Sequence, residues 1–156
     1  MKSGTLQMKN LLAPACIALD APISGREQAV HEIARLFADG YGLRHADVGL
    51  RLWRREHRQS TGVGYGLALP HADVAGLTRP VAAFLRVKHA IAFDAPDRAP
   101  VRDLLALLVP RPASAGHFDL LAHYRQLLSR PQFRVRLAAC TDAGAVWQLF
   151  EQHEWR

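Results

Sequence analysis

Residues 55–72 read REHRQSTGVGYGLALPHA. Three alternating glycines lead into a short apolar run, residues 66–69, and that run ends at Pro70. The run predicts a short strand. Because proline lacks a backbone donor, we expect the strand to end there, with His71 projecting from its end. Strand ends are where α/β proteins collect ligands, so the stretch predicts a ligand site beside a sheet.

The same stretch combines three groups that suit phosphate chemistry. The imidazole of His71 titrates near neutral pH, so an unprotonated ring nitrogen can act as a nucleophile. The guanidinium of Arg55 matches phosphate oxygens. The alternating residues Gly62, Gly64 and Gly66 allow backbone N–H groups to turn toward an anion. The glycines have neither the spacing of a dinucleotide motif nor a following Gly-Lys-Ser/Thr, so they predict no nucleotide loop. Together the three groups are typical of a phosphoryl-accepting histidine site.

Hydrophobic periodicity predicts helices on both sides of a central group of strands. The predicted helices cover residues 24–39, 47–57, 117–129, 132–139 and 143–152, and the predicted strands cover residues 66–69, 81–87, 91–93 and 104–109. The last of these strands is apolar throughout, which suits a strand buried on both faces. Helices first, strands in the middle and helices last indicate an α/β sandwich, a sheet covered by helices.

Local signals set the boundaries near the start of the chain. No element is predicted before residue 24, and we expect residues 1–15 to form a loose arm. A capping box of Ser24 with a glutamate three residues on begins the first helix, and Gly40 is expected to end it. Asp47 is expected to cap the second helix.

The composition fits one globular domain with a basic surface. At 156 residues the chain can bury a sizeable core, and we assign it to one domain with its core at about residues 11–152 and a flexible arm at residues 1–10. The net charge of +6 comes almost entirely from arginines spread along the chain, which we attribute to compositional bias. Cys16 and Cys140 form no disulfide or zinc pattern. The apolar run 11–19 is too short to cross a membrane, so we expect a cytoplasmic protein without membrane insertion.

A second histidine, His117, follows the last predicted strand across a loop. If that strand lies beside the strand that ends at the proline, His117 approaches His71. Metal binding by these two histidines and Asp73 is the weaker interpretation, because no metal-ligand spacing accompanies them. A Ser60 or Thr61 nucleophile is weaker still, because no orienting acid can be identified for it.

Three blocks of sequence carry a resemblance to a known family. They are Arg-Glu at 55–56 followed by Ser-Thr-Gly-Val-Gly at 60–64, Gly-Leu-Ala-Leu-Pro-His at 66–71, and Leu-Leu-Val-Pro at 107–110 with a histidine seven residues on. With them the chain resembles the enzyme IIA proteins of the fructose/mannitol type, from the bacterial phosphoenolpyruvate-dependent phosphotransferase system. That group includes the nitrogen-regulatory enzyme IIA. The Pro-His block is the most specific of the three.

The resemblance implies a phosphorylated histidine with defined neighbours. It makes His71 the residue that is phosphorylated, through Nε2, with Arg55 and His117 beside it. It implies neither a cofactor nor a metal, and it implies a mixed sheet of about five strands sandwiched by helices. The residues expected to hold the phosphate through the loop are Ser60, Thr61, Gly62 and Gly64.

Three positions depart from the family pattern, and they bear on the choice of partner more than on phosphorylation. Gln59 stands where a glycine is common, Asp73 stands near a position that is often basic, and Arg111 changes the loop before the second histidine. These departures leave the phosphorylation prediction in place.

By this resemblance the chain is predicted to be a phosphoryl-transfer protein that accepts phosphate from a small histidine-containing phosphocarrier protein. The chain shows no membrane segment and no IIB-like domain, which favours a regulator of protein targets, with nitrogen regulation as the first interpretation. The second interpretation is a sugar-specific IIA that passes phosphate to a separate IIB component. The third interpretation is a non-catalytic module that uses its basic surface to bind, for example, nucleic acid. The first two interpretations require no binding of nucleic acid.

Overall fold

A computed structural model describes residues 11–153, and in that range one six-stranded mixed sheet lies between five helices. The strands are β1 (Leu12–Ala21), β2 (Gly62–Gly64), β3 (Leu67–Ala68), β4 (His71–Val74), β5 (Val81–Ile91) and β6 (Val101–Pro110). The helices are α1 (Arg26–Tyr41), α2 (His45–Arg58), α3 (Ala115–Leu128), α4 (Pro131–Ala139) and α5 (Ala143–Glu151). The predicted α/β class with a mixed sheet is confirmed, and the sheet has six strands. No helix in the described range has the length and apolar character needed to cross a membrane.

Strand β6 is the centre of the sheet. The strand order is β1-β5-β6-β3-β2, and β4 also pairs with β6. β6 runs antiparallel to β5 and parallel to β3 and β4. Its side chains alternate, so that residues 104, 106 and 108 join the core under α1 and α2, while residues 105, 107 and 109 join the core under α3, α4 and α5. This burial on both faces explains the continuous apolar run in the sequence.

The predicted loose arm at residues 1–15 is wrong over its last part, because residues 12–21 form β1. Among the described residues this strand pairs only with β5, and its register is irregular between Leu12 and Ile17, so the proline at position 14 costs no central ladder bond. Two side chains hold the start of the strand: the Tyr41 hydroxyl donates to Leu11 O at 3.0 Å, and Trp147 Nε1 donates to Leu12 O at 3.0 Å. The predicted flexible arm at residues 1–10 lies outside the described residues.

Helix α1 begins and ends differently from the prediction. Its N-cap is Gly25, and the side chain of Ser24 donates to Gln28 instead of forming a capping box with the glutamate. Gly42, in the left-handed region at φ 69°, ends the helix in place of Gly40. The latter is a glycine for a packing reason, because a Cβ there would collide with the Sγ atom of Cys16.

Two other boundaries also differ from the prediction. Helix α2 begins at His45 with Asp47 in its first turn, so the aspartate is not the cap. The predicted edge strand at 91–93 does not form, because β5 is longer than expected and Ile91 is its last residue, paired with Val101.

A buried ion pair joins the sheet to α4. Arg86 on β5 and Asp103 on β6 are paired across the ladder, with Nε to Oδ1 at 2.7 Å and Nη2 to Oδ2 at 3.0 Å. The same guanidinium donates to Leu137 O and Cys140 O at the C-terminal end of α4. One arginine therefore supplies donors for a carboxylate and for two helix-end carbonyls.

Candidate functional site

His71 lies at the first residue of β4, which pairs in parallel with β6 opposite Leu107. We predicted it just beyond the end of a strand. The chain leaves β3 at Ala68 and then rejoins the sheet, because Pro70 O accepts a bond from Leu107 N at 2.9 Å. Although Pro70 has no backbone N–H group to donate, its carbonyl oxygen accepts this hydrogen bond, so the pairing with β6 continues past the proline.

The ring of His71 has a defined tautomer. Its Nδ1 lies 2.9 Å from Leu69 O, and since a carbonyl oxygen only accepts, Nδ1 carries the proton. The neutral ring therefore has its lone pair on Nε2. Burial lowers the pKa of this imidazole, the nearby charges of Arg55, Arg125 and Arg58 lower it further, and the bond to the carbonyl opposes them. The ring is consequently neutral at pH 7, which a nucleophile requires.

A cavity of about 620 Å³ lies beside this ring. It brings together three of the predicted site residues, His71, Arg55 and His117, from β4, α2 and α3. The remaining lining residues are Arg51, Arg54, His57, Arg58, Ala72, Asp73, Val109, Ala113, Phe118 and Leu121.

His117 has the opposite tautomer from His71. Helix α3 begins at Ala115, so His117 lies in its first turn, where the ring reaches back to the preceding backbone. Ser114 N donates to His117 Nδ1 at 3.0 Å, which leaves the proton of the neutral ring on Nε2. The cavity is therefore lined by one imidazole with a free lone pair at Nε2 and by one with an N–H donor at Nε2.

Arg55 lies in the last turn of α2 and is half-buried. Its Nη1 donates to Gln59 O at 2.7 Å, which leaves further guanidinium donors. Burial lowers the pKa of this group, the charge of Glu56 opposes that effect, and the neighbouring Arg58 and Arg125 lower the pKa further. Within residues 11–153 no carboxylate forms an ion pair with it. An oxyanion would therefore be a favourable neighbour.

The loop residues predicted to hold phosphate have other contacts. Glu56, which is buried, accepts bonds from Thr61 N at 2.7 Å and from the Thr61 hydroxyl. The Ser60 hydroxyl donates to Phe93 O at 2.6 Å and accepts from Gly62 N at 3.0 Å. The protons of both hydroxyl groups are thus used inside the protein, and these bonds hold the loop in place.

The two glycines predicted for phosphate binding lie at positions where packing or backbone conformation favours glycine. A Cβ on Gly62 would lie 2.7 Å from Ala95 Cβ, and Gly64 has φ of 91°. Neither residue lines the cavity, and neither do Ser60 and Thr61. Ser60 and Gly62 line a neighbouring cleft that also contains Arg55. Their role in phosphate binding stays a prediction.

The sequence matches a known family over nearly its whole length. Residues 10–153 fit the family described as "Phosphoenolpyruvate-dependent sugar phosphotransferase system, EIIA 2". The chain belongs to this EIIA type 2 family. The resemblance found from the three sequence blocks is therefore confirmed.

Relatives within the EIIA type 2 family include nitrogen regulators. The chain is 32% identical over 145 residues to the "Nitrogen regulatory protein" of Pseudomonas aeruginosa, covering 92% of this chain and 94% of that protein. It is 32% identical over 137 residues to the "PTS system fructose-specific EIIA component" of Haloferax volcanii, and the match covers 87% of this chain and 89% of that protein.

Solved structures show the same EIIA fold. The crystal structure of the nitrogen regulatory protein IIA-Ntr from Neisseria meningitidis superposes with a TM-score of 0.85 at 32% identity, covering 92% of this chain and 98% of that one. The crystal structure of the mannitol IIA of Escherichia coli has a TM-score of 0.72 at 18% identity, and the match covers 88% of this chain and 97% of that one. This likeness concerns the fold alone.

Sequence reasoning missed three of the four arginines that line the cavity of this EIIA protein. Arg51, Arg54 and Arg58 line the cavity together with Arg55, because positions 51, 54, 55 and 58 share one face of α2. Their helical spacing was the signal that could have identified them.

Asp73, where we expect a departure from the family pattern, is held by Arg51. The Nη2 atom of the arginine lies 2.6 Å from Asp73 Oδ1, and its Nε donates to Asp73 O. The hydrogen bond from Arg51 to the carboxyl group lowers the pKa of that group. Among the residues that the structure describes, no group of three His, Cys, Asp or Glu side chains is placed to hold a metal ion.

Proposed function

We propose that this EIIA protein accepts a phosphoryl group on Nε2 of His71 from the phosphohistidine of a small phosphocarrier protein, and that it serves as a nitrogen-regulatory enzyme IIA. The observation that carries the proposal is the bond from His71 Nδ1–H to Leu69 O, which leaves the Nε2 lone pair in a neutral ring beside a guanidinium. The nitrogen regulatory relatives support the regulatory part.

The step is an in-line displacement at phosphorus. Nε2 of His71 forms the new P–N bond, the P–N bond of the donor breaks, and its electron pair returns to the donor imidazole. Transfer of this kind asks the protein mainly for positioning and for charge stabilisation. Arg55 binds the equatorial oxygens, and the Nε2–H group of His117 donates a further hydrogen bond to them.

The hydrogen bond to Leu69 supports the nucleophile during the step. As the P–N bond forms, positive charge develops on the His71 ring, and its Nδ1–H becomes a stronger donor to the carbonyl oxygen. The bond also fixes the tautomer before the donor arrives, so no proton has to move between ring nitrogens.

Replacement of His71 tests the proposal. We expect His71→Ala to abolish labelling when the protein is incubated with radioactive phosphoenolpyruvate, enzyme I and the phosphocarrier protein of the same genome. The matched control is His89→Ala, because His89 is an exposed histidine of β5 that does not line the cavity. Mass spectrometry would locate the phosphate in the wild-type protein. Full labelling of the His71→Ala protein would refute the proposal.

A second function has one supporting observation, the fructose-specific relative. Under this alternative the phosphoryl group passes from His71 to a separate IIB component, and the protein belongs to a sugar pathway. Incubating the labelled protein with a IIB component of the same genome separates the two, since only a sugar-pathway IIA transfers its label to the IIB cysteine.

A further inference from the structure

Strand β4 carries the nucleophile and an acidic residue on the same face. His71 and Asp73 are alternate residues of this strand, so their side chains point to the same side of the sheet, about 6.5 Å apart along the strand, and both line the cavity. Among the described residues that line the cavity, Asp73 is the only carboxylate. A free carboxylate at this position opposes a phosphoryl dianion on the histidine, because like charges so close together repel each other.

Helix α2 holds this carboxylate through Arg51. The Nη2 atom of Arg51 donates to Asp73 Oδ1 at 2.6 Å, and its Nε donates to the backbone oxygen of the same residue. The backbone oxygens of Pro70 and Val74 point toward β6 and the residue that follows it. Neighbouring carbonyl groups of a strand point to opposite edges, so the oxygen of Asp73 lies on the edge away from β6. One guanidinium therefore holds both the side chain and the backbone of Asp73.

The neutralisation of Asp73 depends on this single contact. In the described part of the chain, Arg51 is the only cation that forms an ion pair with Asp73. The hydrogen bond from Arg51 lowers the pKa of the carboxyl group most, burial opposes it, and the charges of Arg51 and Arg111 lower it further. Asp73 is therefore a carboxylate at neutral pH. The two side chains are 30% and 32% exposed, so solvent screens the pair less than it screens a fully exposed one.

We infer that Arg51 is a positioning residue for phosphoryl transfer that acts through Asp73, by holding and neutralising the carboxylate that shares a face of β4 with the nucleophile. This inference rests on the proposed function. Without the arginine, the carboxylate faces the incoming phosphoryl group as a free negative charge. A merely structural role differs in one respect: a clamp on β4 acts through the bond to the backbone oxygen and does not depend on the charge of the side chain.

A double-mutant cycle on the rate of phosphorylation tests the inference. We expect Arg51→Met to slow transfer from the phosphorylated carrier of the same genome by about tenfold, because an unneutralised carboxylate is left beside the phosphoryl group. We expect Asp73→Asn to raise the rate of the Arg51→Met protein by at least about fivefold, since the free charge is then gone. In the wild-type background the same change should raise the rate by less than about twofold, because the carboxylate is already neutralised there.

The matched comparison is Arg54→Met. Arg54 lines the same cavity from the same helix, and within the described range it forms no ion pair with a carboxylate. Its replacement removes the same charge as Arg51→Met. We therefore expect Asp73→Asn to raise the rate of the Arg54→Met protein by no more than it raises that of the wild type. Urea denaturation of each variant shows that the protein is folded under the assay conditions.

Titration of His71 by NMR gives a second readout that requires no transfer. A free carboxylate on the same face stabilises the imidazolium, so we expect the pKa of His71 to rise by about 0.5 in Arg51→Met and to return in the double variant with Asp73→Asn. Burial and the charges of Arg55, Arg125 and Arg58 lower this pKa, and none of these residues is changed in the two variants.

Three results would overturn the inference. A double variant as slow as Arg51→Met would show that the arginine acts only as a clamp on β4. An equal gain from Asp73→Asn in the Arg54→Met protein would show that only the total charge of the cavity matters. The third result is a pKa of His71 that Arg51→Met leaves unchanged. A wild-type protein that takes no label refutes the proposed function instead, and the titration of His71 then still tests whether Arg51 neutralises Asp73.

Discussion

At the scale of single residues, two histidines in one cavity differ in tautomer because their Nδ1 atoms meet different backbone groups. His71 meets the carbonyl of Leu69, and His117 meets the N–H group of Ser114. Each backbone partner is two or three positions away in sequence, so local chain conformation alone sets both protonation patterns. The cavity therefore holds a ring nitrogen with a free lone pair and a ring N–H donor before any ligand is bound.

Residue identity was easier to predict from the sequence than residue contacts. The Pro-His block and the arginine before the loop pointed to His71 and Arg55, which the structure brings to one cavity. The role of Glu56 had no sequence signal, because a carboxylate is buried only where tertiary structure supplies donors such as those of Thr61. For the same reason the sequence could not show that the hydroxyl of Thr61 donates its proton to Glu56.

Replacing the threonine distinguishes a structural from a phosphate-binding hydroxyl. We expect Thr61→Val to lower the free energy of unfolding by about 1.5–3 kcal/mol, because a buried hydrogen bond to the Glu56 carboxyl is lost. Urea denaturation measures the loss, and Thr78→Val, at an exposed position, is the control. We expect the folded variant to be phosphorylated at nearly the wild-type rate. Normal stability with slow phosphorylation would instead favour the phosphate-binding role.

At the scale of elements, the strands that sequence reasoning found are those with strong apolar runs. β5 and β6 were predicted because both are buried on both faces. β1 was missed because it is an edge strand that contains a proline, and β4 was missed because it is short and only partly buried. Such strands are defined by their partner in the sheet, and a partner distant in sequence leaves little trace in local periodicity.

The arginine that joins β5, β6 and α4 provides an element-scale prediction. We expect Arg86→Met to lower the free energy of unfolding by about 3–5 kcal/mol, because Asp103 is left buried without its partner and two carbonyls of α4 lose their donor. The control is Arg102→Met, an exposed arginine next to Asp103 on β6. Chemical denaturation followed by tryptophan fluorescence measures both variants. A loss below about 1 kcal/mol would show that the pair contributes no more than a surface ion pair.

At the scale of the whole molecule, the site depends on both helical layers. α2 belongs to the layer on one face of the sheet and α3 to the layer on the other, and both contribute side chains to the cavity at the end of β6. The histidine that we propose as nucleophile lies between them on β4, where burial lowers its pKa. The property that makes it a neutral nucleophile therefore also links the stability of the fold to pH.

This linkage predicts lower stability in mild acid. The pKa of His71 and that of His123 are both lowered by burial in the folded chain, so the unfolded chain, with ordinary values near 6.5, binds protons that the folded chain does not. Stability is therefore complete above about pH 7.5 and falls as the pH drops through about 6.5. The raised pKa of Glu56 acts in the opposite direction, over the pH range between its ordinary value of 4.5 and its raised value in the folded chain.

Urea denaturation at about pH 7.5 and about pH 6 checks the predicted loss of stability in mild acid. We expect the urea concentration at the unfolding midpoint to be lower at the lower pH. In the double variant His71→Gln, His123→Gln we expect the difference between the two midpoints to shrink, because the groups whose pKa values shift on folding are gone. Proton-detected NMR of the wild-type imidazoles should place the titration of His71 below that of a free histidine. A midpoint that rises in acid, or a His71 that titrates at the ordinary value, would mean that the ring is not held neutral by burial, and the nucleophile would then need another source of activation.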